Sequence, residues 1–308
     1  MINRILIRIK VLQIVYSHYQ NDNKDLKAAE TELQFSLRKS YDLYHYLLLL
    51  IVELTTQQKQ KLATRKAKFR PSFEELNPNE RFVNNKFAAQ IQSNQSLQKY
   101  VSEQGVSWSN DIDFVKSTLE TILSSQIYTD YINNPVDSYD IDKEFWKNVF
   151  KKLICNNDDI NEYLEDKSIY WNDDIEIVET FVLKSIKRFE EAAGDTQELL
   201  PMFKDKEDLQ FAIQLFRQTL LKSSEHRERI NRHLKNWETE RIANMDLVIL
   251  QVALAEIMTF PSIPVNVTLN EYIDNAKCYS TPKSGNFING VLDSIIKELK
   301  SENLLLKN

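Results

Sequence analysis

The chain has 308 residues, a net charge of −6, four glycines, seven prolines and 42% hydrophobic residues. This length allows one or two domains with a large core, and the hydrophobic content excludes a wholly disordered chain. Because glycine and proline mark turns and are rare here, the composition predicts an all-α fold of long helices joined by short polar loops.

The cysteines and the N-terminal sequence argue against a disulfide-rich, zinc-binding, secreted or membrane-spanning protein. Cys155 and Cys278 are too few and too far apart for a disulfide framework or a zinc site. The first ten residues alternate charged and apolar side chains without a signal-peptide core, and the longest apolar run, 47–52, is too short to span a membrane. We expect a soluble, cytoplasmic protein that holds no metal or other cofactor and does not bind membranes.

The net charge is unevenly distributed along the chain. Residues 101–180 contain 18 acidic and 6 basic residues, a local net charge of −12, so the rest of the chain carries +6. A basic face on an acidic protein is therefore possible, and nucleic acid is not excluded as a partner.

The first two thirds of the chain show helical periodicity. The spacing of apolar residues predicts a helix over 3–20 and a long helix over 25–65, followed by helices near 79–104. In the acidic part, Asn/Asp clusters mark helix starts, and Gly194 is expected to end a helix in the left-handed conformation. A calcium loop at 137–142 is the alternative to capping, but the glycine and distal glutamate of such loops are missing.

The last hundred residues predict helices near 205–236, 242–258, 268–279 and 284–299, with Thr268 and Ser284 as plausible caps. Gly290 lies inside the last of these helices, where glycine costs about 1 kcal/mol relative to alanine. In a chain with so few glycines, this position predicts that another helix or a ligand backbone comes too close for a Cβ atom.

No catalytic motif is recognisable. The sequence has no glycine-rich phosphate loop, no nucleotide-binding strand–turn–helix pattern and no nucleophile elbow. His226 and His233 are seven residues apart, which favours a solvated basic face over a metal pair. We therefore predict a protein that is not an enzyme and has no small-molecule substrate.

Two basic clusters are better candidates for function. Lys61, Arg65 and Lys68 share one helical face in a stretch without acids, which could follow a phosphate backbone or could simply complement the negative end of the helix dipole. The first helix carries a smaller cluster of cations followed by amide and aromatic side chains, a combination that suits RNA. Its members are Arg4, Arg8, Lys10, Gln13, Tyr16 and Tyr19.

Four segments, taken together, resemble the NusB family of bacterial transcription antitermination factors. They are V-L-Q-I-V-Y at 11–16 and the longer segments 237–257, 263–277 and 287–293. The residues of the three later segments that match the family pattern, in order, are Trp237, Arg241, Asp246, Leu250, Ala253, Glu256, Pro264, Val267, Asn270, Glu271, Ala276, Lys277, Phe287, Asn289, Gly290, Leu292 and Asp293.

The resemblance implies NusB-like helical bundles and a function without catalysis. It implies that the chain pairs with NusE, a small-subunit ribosomal protein, on boxA RNA of nascent transcripts, chiefly ribosomal RNA, within the RNA polymerase elongation complex. By position, and together with Lys10, the RNA-binding residues would be Arg4, Arg8, Gln13, Lys283, Asn286, Phe287 and Asn289. Tyr16 and Asp246 would contact NusE.

The resemblance also suggests a domain layout. Residues 1–20 would be the first helix of the NusB-like core and 205–308 its C-terminal module, with an inserted helical region at 21–204 that contains acidic helices over 105–193. The family's arginine-rich arm is reduced here, and Gln251 and Ala255 replace an arginine and an aromatic residue. These departures keep open an alternative function, a NusB-fold interaction or dimerisation module without sequence-specific RNA binding. The basic cluster around Arg65 is a candidate replacement for the lost arginines.

Overall fold

The computed structural model describes residues 1–21, 25–234 and 242–305. The predicted all-α fold is confirmed, since the described residues form helices and turns with one isolated bridge between Ile2 and Phe203. No helix in this part of the chain is long and apolar enough to cross a membrane. The α-helices are α1 (Arg4–Gln20), α2 (Leu26–Lys66), α3 (Phe73–Leu76), α4 (Lys86–Ser93), α5 (Gln95–Gln104), α6 (Ile112–Leu123), α7 (Gln126–Ile132), α8 (Tyr139–Val149), α9 (Asp158–Lys167), α10 (Ile175–Arg188), α11 (Lys206–Leu221), α12 (Ser223–His233), α13 (Asn244–Thr259), α14 (Val265–Tyr279) and α15 (Ser284–Ser301).

The chain divides into two compact units. The middle unit consists of Met1 and Arg38–Met202, and the terminal unit of Ile2–Leu37 and Phe203–Asn308. The layout from the sequence put the first boundary after residue 20, whereas the units divide inside α2. Glu30, near the start of that helix, is held by two hydrogen bonds from Arg217 of α11, at 2.5 and 2.9 Å, which ties the first turns of α2 to the terminal unit.

The terminal unit is built around α13. Every residue from Val248 to Ile257 in this helix is buried, because the helix is apolar on nearly all sides. Helices α1, α11, α12, α14 and α15 all pack against it. Any polar side chain in this stretch of α13 must therefore find its partner inside the protein.

Two expected helix boundaries in the terminal unit were wrong. The single helix expected over 205–236 is broken at Lys222, whose backbone is non-helical, and residues 235–236 lie outside the described part. Helix α14 begins at Val265, directly after Pro264, and not at Thr268. Thr268 lies inside this helix, and its hydroxyl donates to Glu256 at 2.8 Å.

The middle unit contains most of the aromatic side chains of the interior. Trp108 stacks with Tyr46 at 3.8 Å between ring centres and donates its indole N–H to the Tyr46 carbonyl at 2.9 Å. His45 stacks on Tyr100 at 3.7 Å in the same unit. Asn157 caps α9 as expected, but Gly194 lies inside a 3₁₀ segment with φ +53° and ψ −139°, so it does not end a helix in the left-handed conformation.

Candidate nucleic-acid and partner interface

A buried ion pair joins α1 to α13. The Arg8 guanidinium donates to both carboxylate oxygens of Glu256, at 2.8 and 2.9 Å. Thr268 and Tyr272 of α14 donate to the same carboxylate at 2.8 and 3.0 Å. Glu271 lies 3.4 Å from the other side of the guanidinium. Because the side chains of Arg8 and Glu256 are 3% and 0% exposed, this network works as an internal connection between three helices.

The electrostatics of this network keep Arg8 charged. Burial opposes the charge, but the hydrogen bonds and the negative charge of Glu256 outweigh it, so the pKa of Arg8 is raised. Burial, followed by the nearby Glu256 carboxylate, raises the pKa of Tyr272 well above its usual value. Tyr272 therefore stays a neutral hydroxyl that donates to Glu256.

This placement corrects the expectation for the first helix. Arg8 does not face solvent, because its guanidinium is bonded to Glu256, and Lys10 is 1% exposed. Arg4 is 40% exposed and lies 3.4 Å from Asp208, with its guanidinium 5.0 Å above the Phe211 ring. Gln13 is partly exposed. Of the three cations on α1, only Arg4 is thus presented to a ligand in this structure.

The start of α15 provides the second group of expected RNA-binding residues. Lys283, Asn286 and Asn289 are exposed, whereas Phe287 is 8% exposed and belongs to the core. Ser284 begins the helix and donates its hydroxyl to Asp246 of α13 at 2.9 Å. This bond fixes the end of α15 that carries the exposed lysine and asparagines.

The two groups are anchored at different ends of α13. The α1 group is held at Glu256 and the α15 group at Asp246, ten residues apart, which corresponds to about 15 Å of helix. The two anchoring carboxylates therefore lie at separate points along α13.

The two residues expected to contact a partner protein differ in exposure. Tyr16 is partly exposed on α1. Asp246 is 5% exposed, and its Oδ1 atom has no hydrogen-bond partner among the described residues. A buried carboxylate oxygen without a partner is costly, and a donor from outside would reduce that cost. Asp246 is not an exposed contact in the free chain.

Two side chains lie near Gln251, one of the departures from the family pattern: Tyr19 of the first-helix cluster and Arg227, which the sequence did not single out. Tyr19 donates its hydroxyl to Gln251 at 2.7 Å, and the Arg227 guanidinium lies 4.7 Å from the centre of the Tyr19 ring. These side chains line an open pocket of about 410 Å³, together with Asn231 and Leu247 among others. The arginine of this region is thus provided by α12. Arg227 lies in a basic stretch interleaved with Glu225 and Glu228, and this pattern predicted only an exposed helix.

Gly290 does not have the close neighbour that the sequence predicted. It is exposed, and a Cβ atom built on it would meet nothing within 4 Å. The glycine near a neighbouring helix is Gly285, whose Cβ would lie 3.4 Å from Lys277. Among the described residues no helix lies close to Gly290, and the approach of a ligand backbone stays a prediction.

The basic cluster of the middle unit is partly neutralised. Lys61 pairs with Glu120 and Lys68 with Glu75. Arg65 is exposed and forms no ion pair among the described residues. The three cations therefore do not form the uniform basic face that their spacing suggested.

Comparison with known proteins identifies the family. The NusB family model matches residues 177–297, from within α10 to α15, so the match overlaps the end of the predicted insertion and does not include α1. Trp237 and Arg241 of the family pattern lie outside the described residues. No solved structure matches the chain.

Two curated relatives match this chain over most of their own length. The transcription antitermination protein NusB of Salinibacter ruber is 39% identical over 132 residues, which are 41% of this chain and 82% of that protein. The transcription antitermination protein NusB of Koribacter versatilis is 43% identical over 98 residues, 32% of this chain and 67% of that protein. This chain belongs to the NusB family.

Proposed function

We propose that this protein is a cytoplasmic transcription antitermination factor that binds RNA and is not an enzyme. The observation that carries the proposal is the similarity to the Salinibacter ruber antitermination protein over 82% of that protein's length. The finer proposal is that the chain pairs with NusE on boxA RNA of nascent transcripts, chiefly ribosomal RNA, in the elongation complex of RNA polymerase.

The RNA surface we propose lies on the terminal unit. It combines cations for the phosphates with amides for the base edges. The cations are Lys283 at the start of α15 and Arg4 on α1, and the amides are Asn286, Asn289 and Gln13. Arg8, Lys10 and Phe287 support this surface from inside, because their side chains are buried. Tyr16 and the start of α13 at Asp246 are the proposed NusE contacts.

A second candidate function is an interaction module that binds a protein without reading RNA sequence. Two of the three cations on α1 are buried, which leaves little positive charge on that helix for phosphates. The same observation predicts that the isolated chain binds boxA RNA poorly and that NusE provides much of the phosphate contact.

The test is RNA binding with and without the cognate NusE. Fluorescence anisotropy would compare boxA RNA with a scrambled RNA over a salt range. We expect selective binding that tightens with NusE and that weakens about tenfold in Lys283→Ala/Asn286→Ala/Asn289→Ala. Lys300→Ala, an exposed lysine at the other end of α15, is the matched control. A tight NusE complex without RNA selectivity would establish the interaction module instead.

A further inference from the structure

The junction between α2 and α3 exposes aromatic side chains to an unusual degree. Phe69 is 94% exposed and Phe73 is 80% exposed. Phe73 begins α3, and this short helix is held by a capping box in which Ser72 and Glu75 bond each other's backbone. Large apolar side chains grouped at the surface mark interaction sites, because exposing them to water is unfavourable.

The charges around these rings are of two kinds. Lys61, Lys66 and Lys68 each pair with a glutamate, so they contribute little net charge. Arg65 and Arg70 are exposed and form no ion pair among the described residues. The Arg70 guanidinium lies 5.7 Å from the centre of the Phe69 ring. Two exposed guanidinium groups therefore accompany the two exposed rings, and one of them, Arg65, is also attracted by the Glu75 carboxylate.

We infer that Arg65, Phe69, Arg70 and Phe73, here called the basic–aromatic tip, bind single-stranded RNA outside the element bound by the terminal unit. This inference rests on the proposed function, because it adds a second RNA contact to the same complex. Phenylalanine rings stack on unpaired bases of any sequence, while arginine neutralises the phosphates between them. The tip would therefore hold RNA without reading its sequence.

The charge pattern favours RNA over a protein partner. The glutamates that contact this region, Glu75, Glu80 and Glu120, are each paired with a lysine, which leaves Arg65 and Arg70 as the cations that can meet phosphates. Glu74, beside Phe73, is the acid nearest to the tip in the sequence. A stable protein interface also needs a closely packed apolar centre of several side chains. The apolar part of the tip is small, since beyond the two rings it adds only Leu76, at 51% exposed.

The experiment uses the full chain with cognate NusE and two RNAs. One RNA is boxA alone, and the other is boxA followed by an unstructured tract of about 15 uridines, long enough for the site sizes that stacking platforms occupy. We expect the extension to tighten binding about tenfold or more. Phe69→Ala/Phe73→Ala should abolish that gain and leave binding of boxA alone unchanged. Ile169→Ala, an exposed apolar side chain of the middle unit at 79%, is the matched control.

A charge variant provides an independent readout. Arg65→Gln/Arg70→Gln should reduce the salt slope for the extended RNA by about 1.4, because each single-strand phosphate that an arginine neutralises contributes about 0.7 to that slope. Circular dichroism should show the same helix content in all variants, since the substituted side chains are exposed.

The outcomes separate the two proposals. Binding of boxA without any gain from the extension overturns the tip and leaves the proposed function. Binding of the uridine tract that depends on the two rings, without selectivity for boxA, supports the tip and overturns the boxA proposal. Loss of NusE binding in the ring variant, with RNA binding unaffected, shows a protein-docking surface and overturns the inference.

Discussion

The interiors of the two units of this chain are held together by different contacts. The terminal unit buries the Arg8–Glu256 pair at the meeting point of three helices. In the middle unit the pair of Lys66 and Glu80 lies at the surface, with side chains 40% and 46% exposed. The interior of the middle unit contains stacked rings, such as Tyr46 and Trp108 at 3.8 Å. A charged residue that matches a family pattern, such as Glu256, can therefore serve to stabilise the core and not to bind a ligand.

The largest expected effect tests the buried pair. Arg8→Ala should destabilise the terminal unit by about 3–5 kcal/mol, because it leaves the Glu256 carboxylate buried without its cation. Arg8→Met/Glu256→Gln should recover most of this loss, since glutamine still offers an oxygen to Thr268 and Tyr272. Urea unfolding, with hydrogen exchange of α1 and α13, measures both changes.

The control for this prediction is a surface pair of the same unit. Arg217→Ala removes an exposed partner of Glu30 and should leave the stability nearly unchanged. If Arg8→Ala were as mild as Arg217→Ala, the ion pair would be open in solution. Arg8 would then be available to RNA, as the resemblance implied.

The next effect concerns one buried histidine in each unit. Burial lowers the pKa of His226 in the terminal unit to about 4, against a raising contribution from Glu225. Burial also lowers the pKa of His45 in the middle unit to about 4, although its bond to the Tyr41 carbonyl acts in the other direction. The unfolded chain therefore binds more protons between about pH 6.5 and pH 4. Stability from each histidine is complete above pH 6.5 and is lost as the pH falls towards 4.

At pH 5 the loss from His226 should be about 2 kcal/mol in the terminal unit. In the middle unit burial raises the pKa of Glu179 to about 7, so this carboxyl gains stability as the pH falls and offsets much of the loss from His45. Hydrogen exchange measured by mass spectrometry can follow the two units separately between pH 7 and pH 5. His226→Gln should flatten the pH dependence of the terminal unit only. His45→Gln should change that of the middle unit only and leave the stabilisation from Glu179 at low pH. If one substitution flattened both, the two units would unfold as a single cooperative body.

The sequence was sufficient for the fold class and for most helices, because apolar periodicity and the scarcity of glycine and proline act locally. It also held a signal for the ion pair, since Glu256 follows a long apolar run in a helix that had to be buried. The sequence could not identify the partner, because Arg8 is 248 residues away and only packing brings the two together. Asp246 and Lys10 were misjudged for the same reason, as exposure is decided by neighbouring helices.

The smallest effect compares two glycines, one in each unit. Gly290 lies in α15 with open space around it, so Gly290→Ala should stabilise the terminal unit by about 0.4–1 kcal/mol. Gly105 ends α5 with φ +66°, and Gly105→Ala should destabilise the middle unit by about 1 kcal/mol, although its surroundings are equally open.

The Gly290→Ala variant also tests whether a ligand needs the space that the missing Cβ atom leaves. If an RNA backbone approaches α15 at this point, Gly290→Ala will weaken binding of boxA RNA while it raises the unfolding midpoint. A gain in stability with unchanged RNA affinity would show that no ligand needs the missing Cβ. Urea unfolding and anisotropy on the same preparations separate the two results. Because Asn286 and Asn289 are exposed on the same helix, a loss of affinity would also place the RNA along this face of α15.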